Sequence, residues 1–413
     1  MLACQLLDLV LAFGAVEDTH RHEASPTMAM TGALGSYPMS RDASGTAWQP
    51  DISPHVMGHT TRRDWTLMGH AMLNAVYDRQ QGPRGDERSF IAGMAMGAAR
   101  RGYANGDMLT LRAMLSPDPF MGKTGYPLLL AAGETADGTT PLVDRQHPHE
   151  LVMELSATYM RRIGIEDSLF LYTGLPGEPA FGPPPFMHRL SAMDSPEAPI
   201  THHWLDSTHI SFGVITTGWV RDRWKFEASR FTGREPDEDR FDIESPRLDS
   251  TALRISWNPG ERWSLQVSWA AIESPEQLEP EIDESRLSAS AAYTVTMTDD
   301  AWWSTMLAWG RKDPSEGEST NVAALEIAFS PSSDWTVFAR VETIGTHDLG
   351  PTEEVHSVGK FSLGARRDFR LTDRFRLAIG ALYTVNAVAD ELEPAYGGDP
   401  DGAMVYLSFG AGT

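Results

Sequence analysis

Residues 263–272, WSLQVSWAAI, set Trp263, Leu265, Val267, Trp269 and Ala271 on one face of an extended chain and open the other with Ser264, Gln266 and Ser268. Successive side chains of a strand point to opposite faces, so a period of two describes a strand with one apolar and one polar surface. Residues 374–385 repeat the pattern, with Phe375, Leu377, Ile379, Ala381, Tyr383 and Val385 against a face that begins with Arg374 and Arg376.

Working outward, comparable segments fall at 65–77, 88–100, 107–116, 150–162, 167–174, 207–219, 223–232, 249–257, 262–272, 286–297, 301–311, 321–329, 334–343, 357–368, 373–386 and 402–410. Their number is even, as single-chain bacterial barrels prefer. The connections decide more than the strands. Those at 101–106, 163–167, 220–223, 258–262, 298–300, 330–334 and 369–373 are brief and rich in turn formers. Those at 78–87, 116–150, 174–206, 232–249, 273–285, 312–320, 344–356 and 386–401 are longer and polar. Short and long alternate throughout, as in an up-and-down meander with periplasmic turns and extracellular loops. Trp219, Trp224, Trp257, Trp263, Trp302, Trp303 and Trp335 sit near segment ends, where an amphipathic ring suits a membrane interface. The expected fold is therefore all-β: a closed antiparallel transmembrane β-barrel of about 16 strands spanning residues 64–413.

Composition agrees. The 413 residues are 41% hydrophobic, mean hydropathy is −0.30, and no run approaches the roughly 18 apolar residues of a spanning helix. A barrel needs only alternate strand residues to be apolar. The net charge of −23 argues against nucleic acid as a partner. Cys4 is the single cysteine, which excludes an intrachain disulfide and Cys-based zinc or redox chemistry. Residues 1–15 read as a degraded or truncated export signal, since they are apolar but lack a basic start and carry Asp8; an ordinary apolar segment is the plainer alternative. Residues 16–63 have no sustained period and form a Met/His-rich extended segment. Its His20-x-His22, Met28-x-Met30 and His55-x-Met57-x-His59 are spacings that suit soft-ligand copper chemistry, or simply a polar tail.

Two stretches carry more chemistry than a barrel wall requires. In 144–150, DRQHPHE, His147 and His149 flank Pro148, which stiffens their presentation. Asp144 and Glu150 are placed to fix the imidazole tautomers, and Arg145 lies between them. In 202–219, HHWLDSTHISFGVITTGW, the residues His202, His203, Asp206 and His209 run into alternation, with Phe212, Val214 and Thr216 facing one way and Gly213, Ile215 and Thr217 the other. His188 belongs to the same long loop. Both loops leave the same rim, so His147, His149, His202, His203 and His209 are expected to converge near the extracellular mouth. There they serve either as a Cu or Zn site or as a hydrogen-bonded network with Asp144, Arg145, Glu150, His188 and Asp206 that narrows a pore. A Ser-His-Asp reading of Asp206, Ser207, His209 and Ser211 is weaker, because Asp206 falls on the opposite strand face from the other three and no G-x-S-x-G is present. The acidic loops 234–249 and 273–285 read as solvated surface, or as a bias toward cations.

Residues 64–409 resemble a bacterial outer-membrane barrel of porin type. More narrowly, DRQHPHE with FMHRLSAMD, HHWLDSTH and GREPDEDR resembles an uncharacterised outer-membrane family with DRQHPH and HHW-DSTH motifs. The Met/His-rich segment ahead of the barrel is similar to copper-resistance outer-membrane proteins, without their tandem Met-His repeats. Tyr406 and Phe409 are placed like a barrel assembly signal, but Gly-Ala-Gly-Thr follows. The resemblance implies the Gram-negative outer membrane as location and its lipid as a partner. The leading functional expectation is a non-enzymatic channel passing small polar solutes or ions. A copper-type metal-handling protein is the first alternative and an outer-membrane hydrolase the second. Monomer and trimer stay equally open.

Overall fold

The structure, a computed structural model, describes residues 31–54, 57–298, 300–350 and 354–412. Its strands are β1 (Gly58–Arg62), β2 (Trp65–Gln80), β3 (Glu87–Gly102), β4 (Met108–Leu115), β5 (Tyr126–Thr135), β6 (Pro141–Gln146), β7 (Val152–Arg162), β8 (Asp167–Gly174), β9 (Val214–Arg221), β10 (Trp224–Phe231), β11 (Ser250–Trp257), β12 (Trp263–Ile272), β13 (Glu284–Thr298), β14 (Ala301–Pro314), β15 (Thr320–Ser332), β16 (Trp335–Thr346), β17 (His356–Arg370), β18 (Phe375–Ala387) and β19 (Asp401–Ala411). Two short helices, α1 (His202–Leu205) and α2 (Glu393–Tyr396), interrupt the loops.

Sixteen strands, β2 to β4 and β7 to β19, pair antiparallel in chain order, and β19 returns to β2 from Gly402↔Gln80 to Ala411↔Ala71. Closure leaves no free edge, which a sheet in hydrocarbon requires. The short strand β1 pairs with the start of β2, while β5 and β6 form a separate hairpin.

The two faces separate as the period of two demands. Val267 is 60% exposed and Ile379 54%, whereas the neighbouring Gln266 is 8% exposed. The apolar face therefore points outward, away from the lumen. Trp224, Trp257, Trp263, Trp303 and Trp335 are exposed beside short turns and form a girdle at that end, with Trp224 stacked on Trp257 at 5.0 Å. Trp302 departs from the expected girdle: it turns inward and packs against the lumen's apolar cluster.

Two local expectations need correction. The segment at 207–219 is not extended from its start, because α1 and a single 3-10 turn at Ser207–His209 precede β9. His209 Nδ1 bonds the Asp206 carbonyl at 2.7 Å and Ser211 Oγ donates to the Thr208 carbonyl at 3.1 Å. Such local bonds compete with the ladder, which begins only at Val214. The long connection 116–151 also contains the β5–β6 hairpin, whose Leu128, Leu129 and Leu130 are fully buried against lumen-facing Phe90 and Met94.

The lumen is filled. Thr216, Lys225, Arg254, Arg286, Glu326 and Asn386 face inward and are each 1% exposed or less, so they do not line a wet bore. Residues 31–54 enter from the short-turn end. Arg41 makes two 2.7 Å bonds to Asp51, donates to the Asp222 carbonyl at 2.9 Å, and lies 4.8 Å from the ring centres of both Tyr37 and Trp48. The Ile52 amide bonds the Glu261 carbonyl at 3.0 Å. This part of the N-terminal segment is thus a packed inner stopper. Of its proposed soft ligands, His20, His22, Met28, Met30 and His55 lie outside the described residues; Met57 packs on Met39, Met68 and Ala98, and His59 is exposed.

Candidate metal centre in the lumen

Two loops close the other end. The first runs from β4 to β7 and carries the β5–β6 hairpin and the HPH turn; the second runs from β8 to β9 and carries α1. The second loop is pinned to the wall by buried ion pairs. Arg189 bonds Glu326 at 2.6 and 3.0 Å and Asp206 at 2.7 Å. Glu197 meets Lys360 at 2.7 Å and Arg340 at 2.9 Å, and Arg366 meets Asp194 at 2.9 Å. Removing one partner from such a pair leaves a buried charge uncompensated, so the loop's path is strongly specified. Gly182 (φ +71°) lets the chain cross close under α1, where a Cβ would stand 1.9 Å from the Leu205 carbonyl oxygen. At Gly133 a Cβ would approach His203 Cε1 to 2.9 Å, so glycine there makes room for the imidazole.

This packing brings all five expected histidines together. Ring centres of His202 lie 5.2 Å from His209, 6.3 Å from His149, 5.5 Å from His203 and 6.2 Å from His147, and His149 lies 5.2 Å from His209. Three of them form a tighter set: one ring nitrogen from each of His149, His202 and His209 lies within 4.8 Å of the others. Each of the three has its Nδ1 engaged. His149 Nδ1–H donates to Asp118 Oδ2 at 2.7 Å, His202 Nδ1–H to Asp206 Oδ1 at 2.6 Å, and His209 Nδ1–H to the Asp206 carbonyl at 2.7 Å. A carboxylate or carbonyl only accepts, so the proton is on Nδ1 and the Nε2 lone pair is free. The Nε2 atoms of His149 and His209 are buried without a hydrogen-bond partner among the described residues. An orphaned buried acceptor costs about 1–3 kcal/mol. An imidazole whose second nitrogen is fixed by an oxygen acceptor is the arrangement found around metal-ligating histidine.

Electrostatics favour the neutral, ligand-ready form. Burial first, then neighbouring imidazoles, holds His209, His203 and His147 well below the usual histidine range. His147 uses the opposite nitrogen, with Nε2 3.1 Å from Glu134 Oε1. It therefore stands beside the three-nitrogen set and outside it.

The flanking residues are placed otherwise than expected. Asp144 does not touch a histidine; it pairs with Arg84 at 2.6 Å and accepts from Tyr396 at 2.8 Å. Arg145 goes to Asp86 at 2.5 Å and Glu150 to Arg240 at 2.9 Å. His188 lies apart from the cluster, with Nε2 sealed and unpartnered. Asp206 alone of this group joins the site. The acceptors missed in sequence are Asp118 and Glu134, which sit 31 and 13 residues from the histidines they meet. Their signal is weak: Asp118 lies between two prolines, and Glu134 (φ +59°) follows Gly133 in a non-repeating turn of the hairpin. The serine-hydrolase arrangement is not assembled. Ser211 Oγ turns to the Thr208 carbonyl, Ser207 Oγ accepts from Arg286 at 2.8 Å, and the Asp206 carboxylate serves His202 and Arg189.

No protein-family profile and no curated protein matches the chain. Among solved structures, OmpF of Salmonella typhi in complex with daunomycin superposes with a TM-score of 0.54 at 10% identity, over 85% of this chain and 99% of that one. OprB of Pseudomonas putida, determined at high pH, gives 0.52 at 8% identity, over 84% and 94%. An anion-selective porin from Comamonas acidovorans gives 0.48 at 13% identity, over 84% and 98%. At these identities the likeness is one of fold, and the fold is the porin-type barrel of bacterial outer membranes.

Proposed function

We propose that this chain is an outer-membrane, metal-handling barrel that holds Cu2+ or Zn2+ on His149, His202 and His209 within a lumen closed at both ends. The observation that carries the reading is the shared geometry of these residues. Three buried imidazoles converge, each has its Nδ1 committed to an oxygen, and two have an Nε2 with no partner. Imidazole nitrogens suit zinc and copper, and three of them leave a fourth position for water or a passing ligand. The test is equilibrium dialysis of the chelator-stripped, folded barrel against Zn2+ or Cu2+. The expected result is tight binding in the wild type and its loss in His149→Ala and His209→Ala. Equal binding in wild type and both variants would refute the assignment.

The second reading, passage of small polar solutes or ions, draws on the fold it shares with OmpF, which has been seen with daunomycin bound. A small cavity of about 30 Å³ lies inside the wall between the N-terminal stopper and the 184–191 loop, bordered by Trp48, Gln49, Ser191, Gln266 and Met306. That volume holds only a few waters, so passage on this reading requires one of the stoppers to move. Conductance in planar bilayers separates the readings. A channel conducts without metal, whereas a metal-handling barrel stays closed in chelator.

A further inference from the structure

A second group of ligands lies beside the three histidines, and neither the porin-type fold nor the three-histidine site uses it. One ligand atom from each of His203, Glu235 and Glu276 falls within 4.8 Å of the other two. The three residues come from three different loops: His203 from α1, Glu235 from the β10–β11 connection, and Glu276 from the β12–β13 connection. The last two are joined across their backbones, where the Glu235 amide donates to the Pro275 carbonyl at 2.9 Å.

Acidic residues in loops are common and point to nothing by themselves; here the burial is different. Glu235 is 7% exposed, and among the described residues both its carboxylate oxygens lack a hydrogen-bond partner. The neutral His203 stands beside it, with Nδ1 3.8 Å from Oε2 and without a hydrogen-bond partner among the described residues. Among the described residues, no lysine or arginine nitrogen comes within 4.0 Å of Glu235. Arg286 bonds Glu284 at 2.5 Å, and Lys312 stands 3.7 Å from Glu276 and 3.9 Å from Glu284. A buried carboxylate with neither hydrogen bonds nor a cation is expensive. A divalent cation bound by two carboxylates and one imidazole removes that cost.

We propose that His203, Glu235 and Glu276 form a second divalent-cation site, anionic where the three-histidine site is neutral and placed on its outward side. The partly exposed Glu276 gives it contact with solvent at the long-loop rim. The ring of His203 is 5.5 Å from His202, so a cation held here lies next to the inner site. Oxygen donors and negative charge suit it to Zn2+ or Mn2+ over Cu+.

The inference rests on the metal-handling reading, and its test separates the two. The chelator-stripped full chain, checked for folding by circular dichroism, is dialysed against Zn2+ alone. Wild type is expected to take up two ions per chain, Glu235→Gln/Glu276→Gln one, and His149→Ala/His209→Ala one. Two ions in the glutamine variant would overturn the second site. A wild type that binds one ion, lost only in the alanine variant, also overturns it and leaves the inner site standing. A wild-type ion lost only in the glutamine variant supports the second site and removes the inner one. If the double glutamine variant does not fold, Glu276→Gln is read in its place. Zn2+ binding at the second site should then weaken by about 10-fold or more, given that loss of even a supporting residue costs about 10–100-fold. An unchanged affinity overturns the proposal.

Discussion

At the short-turn end of the lumen, Arg41 lies against Tyr37 and Trp48 and spends its guanidinium on Asp51 and a backbone carbonyl. Around it Arg100 meets Asp42 at 3.1 Å, and Arg254 meets Glu227 at 2.9 Å. At the long-loop end, imidazole lone pairs and the Glu235 carboxylate face one another without partners. Both stoppers are buried and both are fixed to the wall by ion pairs. The first matches cation to carboxylate, and its unpartnered atoms, such as Trp48 Nε1 and Arg100 Nε, do not converge on one point as a ligand set among the described residues. The second is left with converging lone pairs of imidazole and carboxylate, a donor set that suits a divalent cation. Burial and charge density alone therefore do not distinguish the two ends; convergence of imidazole and carboxylate ligand atoms does, and the metal-handling proposal rests on it.

The sharpest way to break the contrast is to cut one anchor at each end. Arg189→Ala leaves Glu326 and Asp206 without their guanidinium, and Arg41→Ala does the same to Asp51. Each is expected to cost about 3–5 kcal/mol of stability, as for a buried pair that loses one member. Only Arg189→Ala should also weaken Zn2+ binding, because Asp206 positions both His202 and His209. Denaturant unfolding paired with metal titration checks this, and equal effects of the two variants on metal affinity would erase the distinction between the ends.

A smaller effect is expected from Asp118→Asn. It keeps the shape but weakens the acceptor for His149 Nδ1–H, and metal affinity should fall by about 10–100-fold with little change in folding. Asp51→Asn at the opposite end should leave affinity unchanged.

The smallest effect is set by pH. His188, in the β8–β9 loop, is pushed down to about 3 by burial, aided by the charges of His70 and Arg112. The folded loop keeps it neutral while the unfolded chain protonates near 6.5, so its contribution is complete above about 6.5 and is lost as pH falls below that. The loss is about 1.4 kcal/mol per pH unit. Hydrogen exchange at pH 7 and 5 should show the 174–213 loop loosening while residues 31–54, which contain no histidine, stay protected. His188→Asn should shrink the difference between the two pH values, the remainder coming from His203 and His209, which burial also holds neutral in the same loop.

Much of the architecture was legible because a closed barrel with an apolar outer face imposes a period of two on every strand. Val267 and Gln266 or Ile379 and Ala378 differ in exposure as the alternation requires, and sixteen segments followed from the same test. Residues 207–213 misled because His209 and Ser211 satisfy the local backbone in place of a neighbouring strand. The β5–β6 hairpin was hidden because it packs inside the lumen, where no alternation between an outer and an inner face marks it. Convergence of the five histidines could be read from two loops rising from one rim. Their supports could not, since Asp118 and Glu134 reach them through folding of the loop and share no spacing with them. The expected roles of Asp144 and Glu150 failed for the same reason, as Arg84 and Arg240 compete for those carboxylates.

X-ray absorption on the Zn2+-loaded barrel, with the outer site silenced by Glu235→Gln/Glu276→Gln, addresses the central claim most directly. A metal held by His149, His202 and His209 predicts a spectrum fitted by three imidazoles with Zn–N near about 2.0–2.1 Å, and loss of that signal in the added His209→Ala variant. A first shell of oxygen without imidazole, or an imidazole signal that survives His209→Ala, would contradict it.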